Sequence, residues 1–280
     1  MFGLRFPRDT REHTASWYAA TRHTREYPAL DSSIDADVAI VGGGFSGVNT
    51  ALELSERGYQ VVLLEANRLC WGASGRNGGQ IIGGLGHNAR QFRRVIGEEG
   101  VRSIYEMGLE CVEIIRERIA KYDIDCDLRW GYCDVALKAR HMRWFEETQH
   151  KEAAAGNPHT LELLDRTGVK RYVGSDAYIG GMFNATGGGH LHPMNLCLGE
   201  ARAAENMGAQ FFEQTRVTGV ERGDRVTLRT EHGSVRAKKV VLCGNAYMGE
   251  LVPHLAKRVL PASSCIIATE PLTEDMAQSV

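Results

Sequence analysis

Three glycines at fixed spacing, Gly42, Gly44 and Gly47, follow the apolar run Val38-Ala-Ile-Val41 and lead into Val48 to Glu56, which has helical apolar spacing. In such a strand, turn and helix the first glycine permits a tight turn and the second lets backbone N–H groups approach a pyrophosphate. The third lets the helix press against the strand, so that the helix N-terminus faces the negative charge. Phe45 and Ser46 lie between them in the same turn. Glu65 stands 23 positions beyond Gly42, at the end of the next apolar strand, Gln60 to Leu64, and Ala66 follows it. A carboxylate there accepts hydrogen bonds from ribose hydroxyls and repels a 2′-phosphate, so NADP is disfavoured. Strand, glycine turn, helix, Gly58, strand and acid in that order predict an adenine dinucleotide site. A second glycine-rich loop follows: Gly72, Ala73, Ser74, Gly75, Arg76, Asn77, Gly78, Gly79 and Gln80. Arg76 is its one formal cation and is suited to offset phosphate charge, or else to sit solvated on the loop.

These residues need a scaffold, and the chain has material for one. At 280 residues with 43% hydrophobic content it can bury a proper core as one large α/β domain or two smaller ones. A net charge of −2 with no dominant basic run gives no electrostatic footprint for nucleic acid. No apolar stretch approaches the roughly 18 residues needed to span a bilayer, and the N-terminus lacks the apolar region of a secretory signal, so the default is a soluble cytoplasmic protein. Seven scattered cysteines with no C-x-x-C pair suggest neither a zinc site nor a disulfide framework.

Along the chain, residues 1–35 read as a polar arm pinned by Trp17, Tyr18 and Tyr27. A long amphipathic helix is predicted over about 98–122, a strand over Tyr132–Leu137, and helices over Trp144–Ala155 and Leu161–Tyr172. Tyr178–Phe183 reads as a strand, Gly187-Gly-Gly189 as a flexible joint, and Met194 to about Met207 as a helix started by Pro193. Short strands at Gln210–Glu213, Thr215–Glu221, Val226–Thr230 and Ser234–Ala237 predict a β-meander. Val240–Cys243 then reads as a second buried strand. It runs into Gly244-Asn-Ala, a turn placed to meet the same ligand from the other side.

The glycine segment Val41–Gly47, Leu64-Glu-Ala66, Gly72–Gln80, Ile114–Ile119, Ile124–Asp127, Gly188–Leu196 and Gly244–Tyr247 with Leu255–Arg258 together resemble the D-amino-acid-oxidase-like FAD-dependent oxidoreductases, toward their amine-oxidising branch. The resemblance runs from about His13 to the last residue. It implies FAD as cofactor and an α/β fold: a Rossmann-like FAD-binding domain of parallel sheet plus β-meander, with an interleaved α+β substrate domain. Residues 36–85 and 186–252 would form the first, and 86–185 and 253–280 the second. Gly42, Gly44 and Gly47 would hold the pyrophosphate and Glu65 the adenosine ribose. Residues Ser74 to Gln80 would wrap pyrophosphate and flavin, Val217 would meet adenine through its backbone, and Gly244 would close over the dinucleotide. Members of the family continue for well over a hundred residues past the equivalent of Val259–Glu270, so the chain resembles the N-terminal two-thirds of the fold.

The resemblance further implies oxidation of a primary amine to an aldehyde, with ammonia and hydrogen peroxide released and dioxygen as electron acceptor. The amine must react in its neutral form, although free alkylamines titrate near 10. By residue type and position His190 and His192 are the candidate bases; packing or a helix start beside Pro193 is the competing role. An oxidase or dehydrogenase for glycine, sarcosine or a D-amino acid would share every FAD motif but would need an arginine clamp for the carboxylate. A fragment that binds FAD without turnover is the third reading.

Overall fold

The structure, a computed structural model, describes residues 11–84, 89–249, 251–262 and 264–279. The first ten residues of the predicted arm lie outside this range. Two compact units divide the chain: residues 1–78, 119–126 and 192–266 in the first, and 79–118, 127–191 and 267–280 in the second. Gly79 and Gln80, at the end of the second glycine loop, thus fall in the second unit, and the chain returns to the first at His192.

In chain order the elements are α1 (Trp17–Thr21), β1 (Ser33–Val41), α2 (Phe45–Glu56), β2 (Val61–Leu64), β3 (Gln80–Ile82), α3 (Arg93–Lys121), β4 (Arg129–Ala136) and α4 (Ala139–Ala154). They continue with β5 (Leu161–Asp165), α5 (Arg166–Val169), β6 (Gly180–His190), α6 (Pro193–Asn206), β7 (Gln210–Phe212), β8 (Gly219–Glu221), β9 (Val226–Arg229), β10 (Ser234–Leu242), α7 (Pro253–Ala256) and α8 (Glu274–Ser279). The backbone of α3 breaks at Gly97, which takes a positive φ. No helix among the described residues is long and apolar enough to cross a membrane.

The first unit is built on a six-stranded sheet in the order β7-β2-β1-β10-β9-β8. β1 runs parallel to β2 on one side and to β10 on the other, while β8, β9 and β10 form an antiparallel meander. Both faces of the parallel part are buried, which is why its strands read as continuous apolar runs. Val38, Ile40, Val61 and Leu63 pack toward α2 and α6, whose Val48, Leu52, Cys197 and Ala201 are fully covered. Ala39, Val62 and Leu64 point the other way, onto Val217, Leu228 and Val235.

The second unit holds β3, β6 and β4 in that order, with β5 paired to the first half of β6. Here the sequence expectations need correction. Leu161–Asp165 is a strand, because its pairing with Asn184–Gly180 outweighs the helical preference of Leu and Glu; only Arg166–Val169 is helical. The glycines at 187–189 belong to β6 instead of forming a joint. A Cβ on Gly188 would sit 3.0 Å from the Ile81 carbonyl, and one on Gly189 would strike that of Arg129, so the close approach of β3 and β4 demands glycine. In the first unit, β7 pairs parallel to β2 and stands outside the meander. Ser234–Ala237 and Val240–Leu242 form one strand, carried through Lys238-Lys239 by the β1 ladder.

The scattered cysteines suggested no disulfide framework, but Cys70 and Cys197 form a disulfide that ties the loop after β2 to α6. Spacing could not show it, since 127 residues separate them.

Candidate functional site

The three strand ends Val41, Leu64 and Leu242 lie side by side, and the turns that leave them line one cleft of about 400 Å³ in the first unit. Gly42 takes φ +110°, outside the range of ordinary side chains, and donates its N–H to the Leu64 carbonyl at 2.9 Å. A Cβ there would also lie 2.7 Å from the Cys243 carbonyl. Cys243 in turn donates its N–H to the Val41 carbonyl at 2.7 Å, so the first turn and the turn after β10 are locked together. Gly44 begins α2 and has no side chain to cap it, and the first turn of that helix carries no acid. The positive end of the helix dipole there is therefore suited to an anion. Gly47 does not line the cleft; it permits α2 to lie directly on the Gly42 carbonyl, which an added Cβ would overlap.

Glu65 lines the cleft at the end of β2. Its Oε2 accepts the Gly43 N–H at 2.6 Å and its Oε1 accepts the Asn67 N–H at 2.9 Å. Burial pushes its carboxyl pKa up, and these backbone donors pull against that shift. The second loop contributes Ala73 and Ser74; the Ser74 hydroxyl accepts the Phe45 N–H at 2.9 Å, joining the two glycine turns. Phe45, Ser46, Ala66, Val217 and Gly244 complete the part of the lining named in advance.

The rest of the second loop turns away. Gly75 is buried against the Cys70 carbonyl, and Asn77 uses its Nδ2 to hold the Ala73 and Ser74 carbonyls. Arg76 lies over the Trp71 ring, 4.2 Å from its centroid, with its Nη2 buried and lacking a hydrogen-bond partner. Gly78 ends the first unit and lies outside the cleft lining. Gly79 and Gln80 lead into β3, where Gln80 is paired with His190.

Several lining residues escaped the sequence reading: Gly43, Trp71, Gly72, Thr215, Arg216 and Tyr247. Tyr247 meets Trp71 edge-on, with ring centroids 5.5 Å apart, and closes against Gly72. Trp71 lies directly before the second glycine loop and Tyr247 directly after Gly244-Asn-Ala, so their proximity to recognised turns was the available signal.

The two histidines part ways. His190 is the exposed last residue of β6 in the second unit. His192 is buried and caps α6: its Nδ1 accepts the Asn195 N–H at 3.1 Å. Nδ1 therefore carries no proton and Nε2–H donates to Thr21 Oγ1, also at 3.1 Å. Tyr18 packs edge-on against the ring. The geometry assigns His192 to capping and to anchoring the arm.

The residues present fit an adenosine and pyrophosphate: a glycine cradle that side chains would fill, a helix start without competing acid, and a carboxylate with its oxygens oriented by backbone donors. Comparisons with known proteins agree. Residues 37–280 match the family model described as FAD dependent oxidoreductase. The chain is 42% identical over 271 residues to the gamma-glutamylputrescine oxidoreductase of Escherichia coli strain K12, covering 96% of this chain and 63% of that protein. It is 40% identical over 275 residues to the probable oxidoreductase OrdL of Haemophilus influenzae, covering 96% and 64%. The chain thus spans just under two-thirds of the length of these relatives. Among solved structures, glycine oxidase from Geobacillus kaustophilus aligns with a TM-score of 0.59 at 23% identity, over 79% of this chain and 58% of that one. L-amino acid deaminase from Proteus vulgaris gives 0.64 at 22%, over 83% and 52%, so both share the fold.

Proposed function

The chain belongs to the FAD dependent oxidoreductase family, and from that membership we propose that its first unit holds FAD for the oxidation of a primary amine of the gamma-glutamylputrescine type. The single observation that carries the choice of amine is the 42% identity, across 96% of the chain, to an oxidoreductase named for gamma-glutamylputrescine. The cleft supports the cofactor half of the reading. Gly42, Gly44 and the start of α2 would receive the pyrophosphate. Glu65, already held by two backbone donors, has lone pairs left for ribose hydroxyls. Ser74, Gly244 and the backbone at Val217 would border the same dinucleotide. When bound, FAD supplies a hydride acceptor for the carbon that bears nitrogen. The product imine then hydrolyses to aldehyde and ammonia, and dioxygen is the electron acceptor, yielding hydrogen peroxide.

The test is a panel of amines offered to FAD-loaded protein with peroxide as the readout. Gamma-glutamylputrescine or putrescine should give peroxide, and glycine, sarcosine and D-alanine should not. Peroxide from the amino acids alone would move the assignment to an amino-acid oxidase. A yellow protein silent toward the whole panel would leave FAD binding without this turnover.

A further inference from the structure

The disulfide between Cys70 and Cys197 lies wholly within the first unit, and its loop half directly precedes a stretch of the cleft wall. We propose that it is a redox latch: with the bond closed the second glycine loop is held where it receives FAD, and with two thiols in its place the loop loosens and FAD is held more weakly.

Trp71, Gly72, Ala73 and Ser74, the four residues after Cys70, all line the cleft. Cys70 itself takes φ +61°, a left-handed backbone that a cysteine keeps only when its surroundings impose it. Its N–H donates to the Gly43 carbonyl at 2.8 Å, in the first glycine turn, and its side chain is bonded to Cys197 on the second turn of α6. A Cβ on Gly75 would strike both the Cys70 carbonyl and the methyl of Met194, so the second glycine loop is wedged between Cys70 and α6. Ser74 accepts the Phe45 N–H, which carries any shift of this loop to the start of α2. Breaking the disulfide removes the one covalent restraint on a strained residue from which this wall is hung.

The bond opens by thiol–disulfide exchange with a dithiol. One thiolate of the dithiol attacks a sulfur of the pair, the Cys70–Cys197 bond breaks and a mixed disulfide forms; the second thiol of the dithiol then displaces the protein sulfur. Two electrons pass to the protein, the two protons given up by the dithiol end on Cys70 and Cys197, and the dithiol leaves as a disulfide. Both cysteines are buried, at 1% and 0% exposure, so exchange requires the loop to open. FAD in the cleft opposes that opening. The coupling is reciprocal: the factor by which reduction weakens FAD is the factor by which FAD disfavours reduction.

The effect on FAD rests on the FAD reading above, while the loosening of the loop is measurable without it. Unfolded in the absence of reductant, the oxidised chain should show five reactive thiols, those of Cys111, Cys126, Cys133, Cys243 and Cys265. FAD titrated into the folded chain should bind about tenfold more weakly after dithiothreitol and recover on reoxidation with the disulfide form of the same reagent. Saturating FAD should shift the dithiol–disulfide equilibrium of the pair by the same factor. Cys197→Ser should bind FAD like the reduced parent and ignore dithiothreitol; the parent's own redox series carries the test if that variant does not fold. In the FAD-free chain, amide exchange over residues 69–76 should quicken on reduction. Seven thiols before reduction, equal and measurable FAD affinity in the two redox states, or unchanged exchange would each overturn the proposal. So would reduction that unfolds the whole chain, since the bond would then be a prop for the fold and no latch. Exchange that responds to reduction in a chain that takes up no FAD in either state would support the loosening of the loop and sink the FAD reading alone.

Discussion

A methyl group at position 47 would overlap the Gly42 carbonyl, which is backbone locked by its own turn and cannot step aside. Gly47→Ala must therefore shift α2 away from β1, at about 3 kcal/mol of stability. Thermal melts should show the loss, and FAD titration of the same variant should show weakened uptake. Glu65 poses a subtler case, since both of its oxygens accept from backbone N–H groups. In Glu65→Gln one of those donors must face an amide NH₂, a donor against a donor. The expected result is at least a tenfold rise in the FAD dissociation constant with about 1–3 kcal/mol lost from folding. Gly47 was legible from spacing, because a glycine forced by geometry leaves no alternative residue type, and Glu65 from its place at the end of the second apolar strand. His192 shows the opposite: its neighbour Pro193 announced a helix start, but only the fold reveals that the imidazole itself is the cap.

At the scale of elements, the arm and the loop after β2 are held by buried charge. Glu213, 1% exposed, accepts from the Leu69 N–H at 2.7 Å, from Arg68 at 2.9 Å and from the Tyr27 N–H at 3.2 Å. Glu213→Ala would leave Arg68 in a partly buried site with one fewer partner and should cost about 3–5 kcal/mol, read by denaturant unfolding. On the arm, His13 is held down to about 4 by burial and then by the Arg22 guanidinium. The unfolded chain, with an ordinary histidine near 6.5, takes up that proton first as pH falls. Stability is therefore lost from about pH 6.5 downward and the loss levels off below pH 4. Melts across that window should slope for the parent and flatten for His13→Gln. Element boundaries were readable where periodicity and partner agreed, as in α2 and β2. They were not where pairing overruled local preference: β5 is composed of helix-favouring residues, and β10 runs through two lysines because β1 alongside supplies its hydrogen bonds.

At the scale of the whole molecule, the two units carry clefts of distinct chemical character. The first has glycine backbone and one oriented carboxylate; the second mixes apolar wall with both acidic and basic side chains, among them Asp134, Glu152, Arg102 and Lys151. Strand order and the first glycine turn made the α/β class readable, because a parallel strand followed by a tight turn and a helix has few other uses. Tyr247 and Trp71 were beyond that reading, since their meeting depends on how two loops far apart in sequence fold over one cleft. Whether the first unit's cleft holds FAD is decided by titrating FAD into the folded chain while following flavin fluorescence. The predicted result is saturable uptake of one FAD per chain, weakened by Gly47→Ala and by Glu65→Gln. A folded chain that takes up no FAD, or takes it up equally well with both substitutions in place, would contradict it.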